Sequence, residues 1–201
     1  MPSAPDATHP TPRRGRPRDA TRDDALRRAT LEMLAEVGYR ALTMDAVAAR
    51  ARAGKATIYR RWDSKGALVV DAFAREAQRS VPVPDTGSVA GDLREHLDAT
   101  ARLLAGPVGR AAQALVGELP HEPELAAAFR ASFVTGQRCA VDAVLRRAAE
   151  RGEIRSDAPV AAVAEITGAA LTHRSMLAGQ QLDGPFLDGL VDRVLLPLLR
   201  P

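Results

Sequence analysis

Lys55, Thr57, Tyr59 and Arg60 gather an ammonium, a hydroxyl, a phenol and a guanidinium into six consecutive residues of a 201-residue chain. On a helix, Lys55 and Tyr59 share a face at i, i+4, with Ala56 and Thr57 beside them in the first turn and Arg60 flanking. Short or hydrogen-bonding side chains at a helix start suit the base edges of a DNA major groove, and flanking cations and phenols suit phosphate oxygens. One compositional detail sharpens this. Of 28 basic residues only Lys55 and Lys65 are lysines, and both lie in this short window. Patterns for other chemistry are missing. His9, His96, His121 and His173 are scattered and form no metal-spaced pair, and neither a Gly-rich phosphate loop nor a nucleophile elbow occurs. The single Cys139 allows no intrachain disulfide and no zinc knuckle. The sequence therefore predicts a protein that is not an enzyme and carries no metal or cofactor.

Such a face needs a scaffold. Met44–Ala51 and Lys55–Arg61 read as two short helices joined by Arg52-Ala53-Gly54, the layout of a helix-turn-helix. Thr43 can cap the first, and Leu42 can staple onto Val47. Val47, Ala48 and Ala51 turn a small-residue face inward, while Ile58 and Trp62 anchor the second helix. An earlier helix runs from Thr21 to Gly38, with Leu26, Thr30, Met33, Leu34 and Val37 on one face. A later one begins at Ser64, carries Leu68, Val69, Ala72, Phe73 and Ala77, and stops at Val81-Pro82-Val83-Pro84. Residues 1–62 hold thirteen Lys/Arg against seven Asp/Glu, a formal +6, and the remainder is −3. A basic third on a mildly acidic body fits either a polyanion partner or a merely solvated basic surface. Residues 1–19 are expected to be a disordered basic arm, and Arg16 in the run Arg13-Arg14-Gly15-Arg16-Pro17-Arg18 can reach a DNA minor groove or backbone, or belong to a tail that only solubilises.

Past the Pro-rich hinge, helices are expected at roughly 88–105, 107–118, 123–151, 158–178 and 185–199, the third bending near Gly136. No strand pattern and no repeat appears. The fold class is all-α: an N-terminal three-helix helix-turn-helix domain and a larger helical ligand-binding and dimerisation domain, nine to ten helices in all. The domains divide as 1–19, 20–80 and 81–201. Nowhere do 18 uncharged apolar residues run together, and the basic N-terminus precedes no apolar stretch, so a cytoplasmic protein with no membrane partner is expected.

The stretch Gly38-Tyr39, Leu42-Thr43-Met44-Asp45-Ala46-Val47-Ala48, Gly54-Lys55-Ala56-Thr57-Ile58-Tyr59-Arg60-Arg61-Trp62 and Ser64-Lys65-Gly66-Ala67-Leu68 resembles the TetR family of transcriptional regulators. It covers about residues 20–70, and Gly152-Glu153-Ile154 followed by Asp157 also looks like a member of that family. The resemblance implies a DNA-binding repressor that reads a palindromic operator as a homodimer and is released by a small-molecule effector. It places Thr43, Tyr59 and Lys65 on phosphates and Lys55, Ala56 and Thr57 at base edges. Three departures stand out. Gly54 replaces a common serine cap, Gly66 a common glutamate, and Arg60-Arg61-Trp62 the commoner two histidines or tyrosine-histidine before phenylalanine. The added arginines steepen the salt dependence, each neutralised phosphate contributing about −0.9 to the log–log slope.

For the dimer, the small residues of 158–178, including Ala162 and Ala169, and the stripe of 185–199, including Leu190 and Val194, can form a four-helix interface or serve as ordinary core. For a hydrophobic effector the candidate lining is Leu97, Leu104, Leu115, Phe129, Phe133, Gln137, His173 and Met176, residues that packing alone could also explain. A helical adaptor whose basic third docks an acidic protein is the other reading. Weak, sequence-blind DNA binding distinguishes it.

Overall fold

The computed structural model describes residues 18–200, all outside turns and loops being helical, so Arg16 and most of the basic arm lie outside the described residues. Nine helices are present among them. In chain order these are α1 (Arg18–Ala41), α2 (Met44–Arg50), α3 (Lys55–Arg61), α4 (Lys65–Ser80), α5 (Val89–Ala105) and α6 (Pro107–Val116). Three longer rods follow, α7 over 123–150, α8 over 160–177 and α9 over 184–199, each containing a five-residue π turn. None of the described helices is long and apolar enough to cross a membrane.

Local chemistry sets most boundaries. The Thr43, Ser64, Ser88 and Asp183 side chains accept from the backbone N–H three residues on, capping α2, α4, α5 and α9. Pro107 and Pro123 occupy first-turn positions where no N–H is needed. Gly38 (φ 76°) kinks α1 where the sequence placed its end. The irregularity expected at Gly136 falls a turn earlier, in the π turn Arg130–Val134. Val37, assigned to the inward face, is 49% exposed, and Leu31 is buried instead.

Two apolar clusters fill the molecule. One joins α1–α4 to α6 and the first part of α7, passing across the sequence boundary at residue 80. The other packs α5 with α8, α9 and the rest of α7. Between them the hinge 81–88 is clamped by charge. Asp92, fully buried, accepts from Thr86 N at 2.6 Å, from Thr86 Oγ1 at 2.8 Å and from Arg151 at 3.0 Å. Burial raises its carboxyl pKa, but the Thr86 bonds and Arg151 prevail and hold it below the ordinary value. Arg147 donates to the Pro84 carbonyl, and Glu153 accepts from Val89 N at 2.5 Å. Gly152 (φ 74°) closes α7 with paired bonds, Gly152 N to Ala149 O and Glu153 N to Ala148 O, a turn that aims Glu153 at the start of α5. The Gly152-Glu153-Ile154 stretch thus joins a turn, a clamp and a core residue.

Candidate nucleic-acid interface

Met44, Val47 and Ala48 of α2 are buried, as are Ile58 of α3 and Trp62 just beyond it. These side chains fix α3 against the first cluster and leave its other side to solvent. The turn between the helices closes with Arg52 N to Ala49 O at 3.1 Å and Ala53 N to Ala48 O at 2.9 Å. That is the bond pattern of Gly152, yet the left-handed position here is Arg52 (φ 51°), while Gly54 is extended. The turn's one glycine is therefore not its left-handed residue. A side chain in that region costs about 1–2 kcal/mol, and glycine gives back part of this through the unfolded chain. Arg52→Gly is expected to stabilise the protein by about 0.5–1 kcal/mol, measured by denaturant melting. An unchanged or lower midpoint would contradict the argument.

Lys55, Ala56 and Arg60 of α3 are exposed, Tyr59 is 52% exposed and Thr57 half-buried. The first-turn groups thus stand at the surface. Gly54 makes no side-chain cap, and its carbonyl takes Thr57 N at 2.9 Å. The exposed Thr43 uses its Oγ1 to accept from Ala46 N at 3.2 Å. Lys65 is half-buried, donating to the Tyr39 carbonyl at 2.8 Å with its ammonium 4.1 Å from that ring's centroid. Sequence reasoning missed two carboxylates. Asp45 accepts from Lys55 Nζ at 2.7 Å and from Tyr59 Oη at 3.3 Å. The Lys55 bond holds the Asp45 carboxyl below its usual value and, reciprocally, the Lys55 ammonium above its own. Asp71 on α4 accepts from Trp62 Nε1 at 2.9 Å and from Arg27 Nε at 2.8 Å, and the Arg27 guanidinium sits 5.6 Å from the Trp62 ring. Arg61 pairs with Asp23 at 3.0 Å. The exit of α3 is thereby tied to both α1 and α4. A lone acid among Leu68, Val69, Val70, Ala72 and Phe73 was the available signal for Asp71.

The eight residues suggested for an effector do not converge. Leu97 belongs to the second cluster, and Leu115 and Phe129 to the first. Leu104 and Met176 line a cleft of about 570 Å³ beside α5, α6 and the 179–183 connection. Phe133 and Gln137 line another of about 400 Å³, between α4, the hinge and α7. His173 is exposed. Of the suggested interface residues, Ala162, Ala169 and Val194 are exposed, whereas Leu190, 7% exposed, packs in the chain's own core. Among the described residues no cluster of three or more His, Cys, Asp or Glu could hold a metal.

A buried two-helix bracket presenting a basic, hydrogen-bonding face defines a helix-turn-helix DNA-binding protein. Comparison with known proteins agrees over both parts of the chain. Residues 26–72 match the family described as bacterial regulatory proteins, tetR family, and residues 83–194 match the tetracyclin repressor-like C-terminal domain. The DNA-binding transcriptional repressor TetR of Mycobacteroides abscessus is 39% identical, over 92% of this chain and 97% of that one. The uncharacterized HTH-type transcriptional regulator YdeS of Bacillus subtilis is 31% identical over 89% and 90%. The crystal structure of the TetR family transcription regulator SCO0332 superposes with a TM-score of 0.73 at 32% identity, covering 90% of this chain and 98% of that one. The chain belongs to the TetR family and is a DNA-binding transcriptional regulator.

Proposed function

We propose that the protein is a repressor, that it binds a palindromic operator as a homodimer, and that a hydrophobic small molecule releases it. The observation that carries this reading is the outward face of α3, where Lys55, Ala56, Tyr59 and Arg60 stand exposed on a helix whose other side is anchored by Ile58. Lys55, Ala56 and Thr57 read base edges, while Thr43, Tyr59, Arg60 and Lys65 hold phosphates. The repressor role is also that of the Mycobacteroides relative.

One such helix reads few base pairs, so a second head is required, about 34–36 Å away or a multiple of that distance. The exposed Ala161, Ala162, Gly168 and Ala169 of α8, with Val194 of α9, offer a small-residue face on which another copy can approach closely. The effector occupies the cleft lined by Leu104 and Met176, and α4, packed in the first cluster, carries the response to the heads. A ligand reversing a 1:99 equilibrium needs about 5.5 kcal/mol of differential affinity.

Selection of bound duplexes from a random pool tests the proposal. The expected product is an inverted repeat whose half-site centres lie one helical turn, or a whole number of turns, apart. Failure to enrich any sequence would overturn it, and so would a single unrepeated half-site.

A further inference from the structure

The two outward groups at the start and middle of α3 converge on a carboxylate of the preceding helix. Asp45 accepts from Lys55 on one oxygen, at 2.7 Å, and from Tyr59 on the other, at 3.3 Å. None of the three is buried: the Lys55 and Asp45 side chains are 71% and 47% exposed, and Tyr59 is 52% exposed. The chain thus sets a fixed anion inside the face that its basic N-terminal third offers to DNA. An exposed ion pair of this sort adds little to stability, so folding alone gives weak reason for it. Its geometry resembles a phosphate contact, with two oxygens, one negative charge, a cation on one side and a phenol on the other.

We infer that Asp45 is a specificity-determining residue that keeps Lys55 off the sugar–phosphate backbone. The inference rests on α3 being the helix that meets DNA. On random sequence, a Lys55–phosphate contact first has to break the pair, and it then leaves the carboxylate without its cation beside the backbone. Loose complexes gain correspondingly little from Lys55. In a seated complex the pair stays closed and orients the ammonium stem along the first turn of α3, where base edges are met. Asp45 therefore acts through Lys55, as a positioning residue.

The test uses the full chain and a fluorescently labelled duplex of scrambled sequence, titrated between about 50 and 200 mM NaCl. Asp45→Asn keeps the size of the side chain and an acceptor for Tyr59 while removing the charge. It is expected to bind the scrambled duplex roughly 3- to 10-fold tighter, with the log–log salt slope steeper by about 0.9 for each head engaged. On a duplex recovered by selection the gain is smaller, so the ratio of selected to scrambled affinity falls. In the Lys55→Gln background, Asp45→Asn changes the slope no further. A scrambled-duplex affinity and slope equal to the wild type overturn the inference. An equal gain on both duplexes does so too, as does an effect undiminished in the Lys55→Gln background, which would reduce Asp45 to a generic repulsive charge. A wild-type chain that binds neither duplex would overturn the reading of α3 itself. Wild-type binding with a silent Asp45→Asn removes the role of Asp45 alone.

Discussion

Phe73→Ala is expected to lower the unfolding free energy by about 3–5 kcal/mol, the usual cost of truncating a buried phenylalanine. Phe73 has no exposed surface and sits on the face of α4 that meets α7. Its ring lies edge-on to Phe129, with centroids 5.2 Å apart at 88°, and to Phe133 at 5.5 Å and 67°. Phe129 and Phe133 stack on each other at 5.1 Å. Each such pair adds about 0.5–1.5 kcal/mol beyond area burial, so the truncation loses packing on two sides. The trio is also the aromatic part of the joint between the DNA-binding unit and the body. Phe73→Leu keeps most of the volume but loses both ring pairs, so it should cost less than the alanine change, about 1–3 kcal/mol. Denaturant melts of the two variants check the ordering. A loss below about 1 kcal/mol for the alanine variant would mean that the trio contributes contact without support.

That joint shows which parts of the molecule sequence could and could not disclose. Helix ends were legible because Thr43, Ser64, Gly38 and the prolines act within three or four residues of themselves. The outward face of α3 was legible for the same reason, since Ile58 and Trp62 had to go inside and left Lys55 and Tyr59 outside. The carboxylates were not, because Asp45 and Asp71 acquire meaning only when the turn and α4 bring them back against α3. Val37 and Leu31 exchanged roles because the stripe on α1 is set by its packing against α2, α4 and α6, three helices whose directions no single helical wheel records. The turn between α2 and α3 falls at the expected break Arg52-Ala53-Gly54, but residue types do not mark its strained position, which the backbone assigns to Arg52. Effector residues were the least legible. A cleft is the space left between segments distant in sequence, and large apolar residues such as Leu97 and Leu115 are as readily used to fill a core as to line a cavity.

Histidine gives the sharpest case, because the residue singled out among apolar neighbours, His173, is exposed, while His96 on α5 is buried to 2%. Its Nδ1 is buried without a hydrogen-bond partner. Burial alone pulls its pKa down from 6.5 to about 4, since the imidazolium would lose water and gain nothing in exchange. In the unfolded chain the imidazole takes its proton near pH 6.5, so between that pH and about 4 the unfolded state binds more protons than the folded one. Stability is therefore complete above pH 6.5 and falls as the pH drops, by about 2 kcal/mol at pH 5 and about 3 kcal/mol at pH 4. Asp92 and Glu153, both held below ordinary carboxylate values, lose their own contributions at still lower pH and so leave the pH 5–7 window to the imidazole. His96→Leu removes the titrating group and the unsatisfied nitrogen together. Its urea midpoint is expected to stay nearly level from pH 7 to 5, where the wild type declines. Parallel declines in the two proteins would assign the acid sensitivity to other groups and remove His96 from the account.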